Sequence, residues 1–303
     1  GLYCALLAPI VFALFTSSKH LVIGADSATA ALVASGAATL AAAKSPHYAA
    51  VIALLGVLTG LILVAMGLLR FGFLADLISK PVLTGFLAGV GLQLILTHVA
   101  GLMAIPVEGS VLDKVATTLT HLPQVHWPTL ALGVTVLIIT LLAGKRKLPG
   151  ALLGLVAALW LSLVFNLKGL GVHMIDKVPA GMPHLQMPEL SLIQAATLFS
   201  SALAIAVVIM AQSLAVIRSS ADKYDEPIND NHDLIALGFA NIASRLTQGF
   251  AVNGSPPRTA VADNAGGRSQ MVNIFMAVII ALILLFATDV LTLIPEAALA
   301  AII

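Results

Sequence analysis

The sequence predicts an all-α polytopic membrane protein built around two half-helices, each preceded by a short extended segment. Three observations carry this expectation. Of 303 residues, 59% are hydrophobic and 10% charged, with a mean hydropathy of +1.04, whereas a typical soluble domain has about 25% charged residues. Apolar stretches near the roughly 20 residues needed to cross a bilayer recur along the whole chain. Two of these stretches begin with similar broken segments that contain glycine.

In chain order the candidate spans are 1–16, 22–43, 48–69, 81–104, 129–144, 149–167, 192–217, 234–250, the short 254–266, 270–293 and one from about 295. The longest polar connections are 105–128, 168–191 and 218–233. With Lys145-Arg146-Lys147 on the cytoplasmic side and strict alternation, most basic residues fall on that same side. The chain begins at Gly1 and stops within the apolar run Ala301-Ile302-Ile303, so it is expected to be a fragment truncated at both ends.

Composition also excludes function classes. A net charge of +1 gives no electrostatic case for nucleic acid. The single cysteine, Cys4, rules out an internal disulfide and a cysteine metal cluster. The histidines form no HxxxH or HExxH pattern, and neither a metal nor a cofactor is expected. No GxGD-like or Gly-x-Ser-Gly pattern supports an intramembrane enzyme.

The broken segments align with each other. "VIGADSATAAL" (22–32) lies over "VNGSPPRTAVA" (252–262), so that Gly24 meets Gly254, Ala25 meets Ser255, Ala28 meets Arg258 and Thr29 meets Thr259. Paired interruptions in two halves of a membrane chain point to a transporter's midplane site. A helix that starts inside the bilayer presents N–H groups without intrahelical partners and about half a positive charge. Two such starts facing each other form a seat for an anion.

The candidate residues are therefore Gly24, Ala25, Asp26, Ser27, Ala28 and Thr29 at one tip, with Gly254, Ser255, Arg258 and Thr259 at the other. Arg258 costs roughly 2.5–3.5 kcal/mol in mid-membrane, which calls for a partner. Its planar fork suits an oxyanion; the alternatives are a structural pair with Asp26 or Asp263, or snorkelling to the interface. Pro256-Pro257 removes two N–H donors, so binding leans on the Ser255 hydroxyl and the N–H groups of Arg258 and Thr259. Asp26 suits a helix N-cap or a proton carrier that discharges beside the anion. Gln212 and Ser213, inside "IAVVIMAQSLAV", face a cavity or join helices. Asn241 and Ser244 are assigned to packing, Gln93 and His98 to interhelix hydrogen bonds. Gly266-Gly267 reads as a helix stop.

These residues resemble the sulfate permease family of anion transporters. The resemblance rests on "NHDLIALGFANIASRLTQGFAVNGSPPRTAVADNAGGRSQ" (231–270), "GLYCALLAPIVFALFTSSKHLVIGADSATAAL" (1–32) and "GLLRFGFLADLISKPVLTGFLAGVGLQLI" (67–95). It implies an inverted-repeat 7+7 transporter fold, divided into core and gate. Here residues 1–303 would form one transmembrane transporter domain, with core 1–80 and 192–293 and gate 81–191 and 294–303. The first helix, the last two helices and a cytoplasmic STAS domain would lie outside the chain.

In the family the third and tenth segments hold the anion, which maps onto Gly24–Thr29 and Gly254–Thr259, with the tenth-segment arginine at Arg258. The eighth segment often carries an acidic coupling residue. Gln212 stands there instead, which counts against sodium and shifts the coupling role towards Asp26. The function implied is secondary active transport of a small inorganic oxyanion, sulfate first, by alternating access with proton coupling. Bicarbonate or dicarboxylate transport, or an anion channel, are the alternatives. The expected partners are that anion, a proton or sodium as coupling ion, membrane lipid and a second copy in a homodimer, in a bacterial inner membrane.

Overall fold

A backbone in hydrocarbon has no water to satisfy its polar groups, and this chain answers almost entirely with helix. The computed structural model describes all residues except 42–45, 78–79, 106–110, 122, 124, 147, 149, 176–180, 184–191 and 303. In chain order the elements are α1 (Leu7–Phe15), β1 (Ile23–Gly24), α2 (Ser27–Ala38), α3 (Pro46–Leu68), α4 (Lys80–Leu102), α5 (Val111–Thr120), α6 (Trp127–Lys145), α7 (Gly150–Phe165), α8 (Leu192–Tyr224) and α9 (Asp230–Leu246). They continue with β2 (Asn253–Gly254), α10 (Pro256–Asn264), α11 (Met271–Phe286), α12 (Thr288–Leu291) and α13 (Glu296–Ile302). Among the described residues, Tyr48–Leu68, Trp127–Lys145 and Ile193–Tyr224 are long and apolar enough to cross a membrane.

Several boundaries differ from the apolar runs. The stretch 22–43 resolves into β1 and the 12-residue α2, too short to span a bilayer. Helix α8 runs past the apolar run to Tyr224, because Arg218 and Lys223 extend a helix well and only Asp225, at φ 51°, ends it. The connection 105–128 contains α5. The run 270–293 breaks at Ala287 into α11 and α12.

The chain divides into two compact units. One comprises Gly1–Thr84 and Gly181–Ile283, the other Gly85–Ala180 and Leu284–Ile303. In the first, α3 and α9 approach backbone to backbone. A Cβ on Gly60 would sit 2.7 Å from the Gly238 carbonyl oxygen, and one on Gly238 would sit 2.6 Å from that of Gly60. Lipid is as apolar as leucine, so helices in a bilayer gain by such close dispersion contact rather than by burying oily surface.

Asp233 then fixes the end of α1 against the start of α9. Its fully buried carboxylate accepts from Thr16 Oγ1 at 2.7 Å, Ser17 N at 2.6 Å and Ser17 Oγ at 2.8 Å. That anchor sets where the chain turns into the approach to β1. In the second unit, α6, α7 and α13 enclose a core of Leu132, Val136, Ala158, Ala298 and Ala301. There the segment around Met174 pairs with Pro295, and Ile175 N donates to Ile294 O at 3.0 Å.

Candidate functional site

The two extended segments meet. β1 and β2 form an antiparallel pair in which Ile23 faces Gly254 and Gly24 faces Asn253. This register is unchanged when each residue is exchanged for the one aligned with it in sequence. Ser255 N extends the pairing by donating to Val22 O at 2.9 Å. All four strand residues are buried. Helix α2 starts at Ser27 and α10 at Pro256, so each helix begins two or three residues beyond the point where the strands pair.

At the first tip, Asp26 occupies the cap of α2. Its Oδ2 accepts from Thr29 N at 3.4 Å and its carbonyl from Ala30 N at 2.9 Å. Thr29 is buried, and its hydroxyl has no hydrogen-bond partner among the described residues. Ser27 and Ala28 open the helix, but their side chains lie outside the described set. Gly24 has a different reason to be glycine: a Cβ there would collide with the Arg258 guanidinium. Arg258 Nη2 donates to the Ala25 carbonyl at 3.1 Å, so the arginine of one half reaches the tip of the other.

At the second tip, Ser255 is the N-cap residue of α10 and is buried, with Pro256 and Pro257 in the first turn. Thr259 departs from expectation. Its N–H is not free for a ligand, because the first intrahelical bond takes it to Ser255 O at 2.9 Å. Its hydroxyl accepts from Val22 N at 3.0 Å. With prolines at the first two positions, Arg258 is the residue of this turn whose N–H a helix start leaves without an intrahelical partner.

Gln212 lies beside the same tip, where its Nε2 donates to Gly254 O at 3.2 Å. Ser213 Oγ accepts from Gly254 N at 3.0 Å and donates to Asn253 Oδ1 at 2.9 Å. Asp263, one alternative partner for Arg258, is engaged elsewhere: it accepts from Lys223, Tyr224 and Arg268. The Tyr224 phenol first, and Asp263 with it, hold the Arg268 guanidinium above its usual range. Gly266, at φ +86°, ends α10 as expected: Gly266 N bonds Asp263 O at 2.9 Å and Gly267 N bonds Ala262 O at 2.8 Å.

Sequence reasoning assigned Asn241 to packing, yet it bonds both the N–H and the C=O of Val252, at 2.9 and 3.1 Å. It passed over Asn253 and Asn273 altogether. Asn273 had a legible signal, since it is the lone polar residue in "MVNIFMAVIIALILLF". The Gln93 side chain lies outside the described set.

Membrane-length helices, together with two short helices that each follow one strand of a buried pair, have the make-up of a multi-pass membrane protein of the transporter class. The chain belongs to the sulfate permease family, whose sequence pattern matches residues 1–303. It is 35% identical over 306 residues to a probable sulfate transporter of Mycobacterium tuberculosis, covering 100% of this chain and 55% of the relative. Against human solute carrier family 26 member 6 the identity is 29% over 330 residues, covering 100% and 43%. The chain thus spans about half the length of the curated relatives it matches.

Among solved structures, the transmembrane domain of the cyanobacterial bicarbonate transporter BicA superposes with a TM-score of 0.78 at 23% identity, covering 100% of this chain and 78% of that one. The murine Slc26a9 anion transporter in its inward-facing state gives 0.79 at 21%, covering 99% and 54%. The all-α transporter fold expected from the sequence is the fold observed. The family is one of transporters rather than enzymes.

Proposed function

We infer that this chain is the anion-translocating part of a secondary active transporter for a small inorganic oxyanion, sulfate first, working by alternating access. The observation that carries the reading is the β1–β2 pair, which joins two helix starts tip to tip with Arg258 reaching from one to the other. Helix starts and a guanidinium all favour negative charge, most strongly where water is scarce. The names of relatives such as the mycobacterial probable sulfate transporter support sulfate. On this reading the unit containing both tips is the core and the other unit is the gate.

Coupling to protons fits the residue set better than coupling to sodium. Gln212 brings no negative charge to offset a cation, and its Nε2 donates to Gly254 O. Asp26 is the carboxylate nearest the seat in sequence, and it is the proposed proton carrier. Bicarbonate is the second reading, favoured by the likeness to the membrane domain of BicA.

Calorimetry of sulfate binding to the full-length protein, with Arg258→Ala as control, tests the seat. Saturable binding lost in the variant supports it, and equal binding by both proteins overturns it. Competition of labelled sulfate uptake by bicarbonate, succinate, selenate and molybdate separates the substrates. Accumulation against a gradient, abolished by an uncoupler, separates a transporter from a channel.

A further inference from the structure

The two strands at the seat are braced from different places. β2 is held by α8 and α9, through Ser213 on Gly254 and Asn253 and through Asn241 on Val252. The approach to β1 is held by α10 and α11. Val22 N donates to Thr259 Oγ1 at 3.0 Å and Ile23 N to Asn273 Oδ1 at 3.3 Å. Asn273 Nδ2 donates to Leu21 O at 2.8 Å and to Gln270 Oε1 at 2.6 Å. Gln270 Nε2 in turn donates to Ser18 O at 2.8 Å and Leu21 O at 3.2 Å.

Asn273 is 1% exposed, within a helix that is otherwise apolar. A buried amide in hydrocarbon is costly unless both its ends are used. Here both are, and two of its three partners are backbone groups of the segment that becomes β1. Leucine or valine would serve packing equally well, so the choice of asparagine is explained by the strand it holds. Ile23, whose N–H Asn273 accepts, directly precedes Gly24 under the Arg258 guanidinium and lies two residues before the Ala25 carbonyl that the arginine grips.

We propose that Asn273, with Gln270, is a positioning residue for the anion: it fixes the height of β1 and so the gap between the first tip and Arg258. This rests on the reading of the paired tips as the anion seat. Binding geometry is steep in position, and a misplacement of about 1 Å can cost on the order of a hundredfold.

The test is labelled sulfate uptake by the full-length protein in proteoliposomes, comparing Asn273→Thr with Asn273→Val. These two substitutions have the same shape and differ by one hydroxyl, a polar atom one bond shorter in reach than the asparagine amide. The expected result is a KM about tenfold higher in N273V, with kcat within about twofold of wild type and part of the KM recovered in N273T. Equal KM in the two variants, or a loss confined to kcat, overturns the proposal.

Gln270→Ala removes only the outer part of the brace. It is expected to raise KM in the same direction by a smaller factor, and it carries the test if N273V does not fold. Arg258→Ala separates the two ideas. If R258A binds sulfate as wild type does, the seat itself is wrong; if R258A loses binding while N273V keeps the wild-type KM, only the positioning role is wrong.

Discussion

Arg258 donates from Nη2 to the carbonyl of Ala25 at 3.1 Å, passing through the space that a side chain at position 24 would fill. The arginine lies in the first turn of α10 and its acceptor just before α2, so this bond ties the two helix starts to each other.

Gly24→Ala is expected to move the guanidinium, because the atom a new Cβ meets is the far end of a flexible side chain rather than backbone. The fold should survive while anion affinity falls. Losing a hydrogen bond from a charged group costs about 1.5–3 kcal/mol, or roughly 10- to 100-fold in Kd. Calorimetric titration of sulfate into the full-length variant checks this; an unchanged Kd would show that the arginine's placement does not matter.

Asp26→Asn should separate capping from proton handling. Asparagine caps a helix about as well as aspartate, so the bond from Thr29 N should persist and thermal stability should hold. Sulfate uptake by the variant should lose its dependence on external pH. A pH profile parallel to wild type removes Asp26 as the proton carrier.

The crossing of α3 and α9 predicts opposite outcomes for two glycines on one helix. Gly60→Ala places a Cβ against the Gly238 carbonyl and is expected to destabilise by about 1–3 kcal/mol. Gly56→Ala has nothing within 4 Å of the new atom, and it should stabilise by about 0.5–1 kcal/mol through helix propensity alone. Unfolding of the detergent-solubilised variants should rank them in that order.

Around Tyr224, the loss should depend on which partner is removed. Lys223 and Arg268 have side chains 58% and 53% exposed, so Lys223→Ala should change thermal stability little, and less still at high salt. Asp263, at 16%, is the shared acceptor of both cations and the Tyr224 hydroxyl. Asp263→Asn should therefore lower the melting temperature by more than K223A does. Equal effects would mean that the Lys223 contact carries the whole of what Asp263 contributes.

Much of the fold could be read before any coordinates, because bilayer physics is local and one-dimensional. Each span must be apolar over its own length, so composition and run length alone imply a polytopic helical protein. The paired interruptions could be read for a similar reason, since Gly24 and Gly254 each mark a local break that aligns with the other. The Gly266 stop of α10 is equally local.

Other features depended on which atoms meet across the fold. No pattern along the chain says that α8 runs on to Tyr224, because polar helix formers after an apolar run look like a connection. Nor does one say that the N–H of Thr259 is spent inside its own helix while its hydroxyl holds Val22. The partners of Asn241, Asn253 and Asn273 are backbone groups of extended segments, and a backbone carbonyl leaves no mark in the sequence. Sequence alone established the bilayer as solvent, the two broken helices and the charged residue between them. Tertiary structure alone decided how those breaks are paired and braced, because an unsatisfied N–H or C=O in a dry interior takes whichever partner three-dimensional packing brings within about 3 Å.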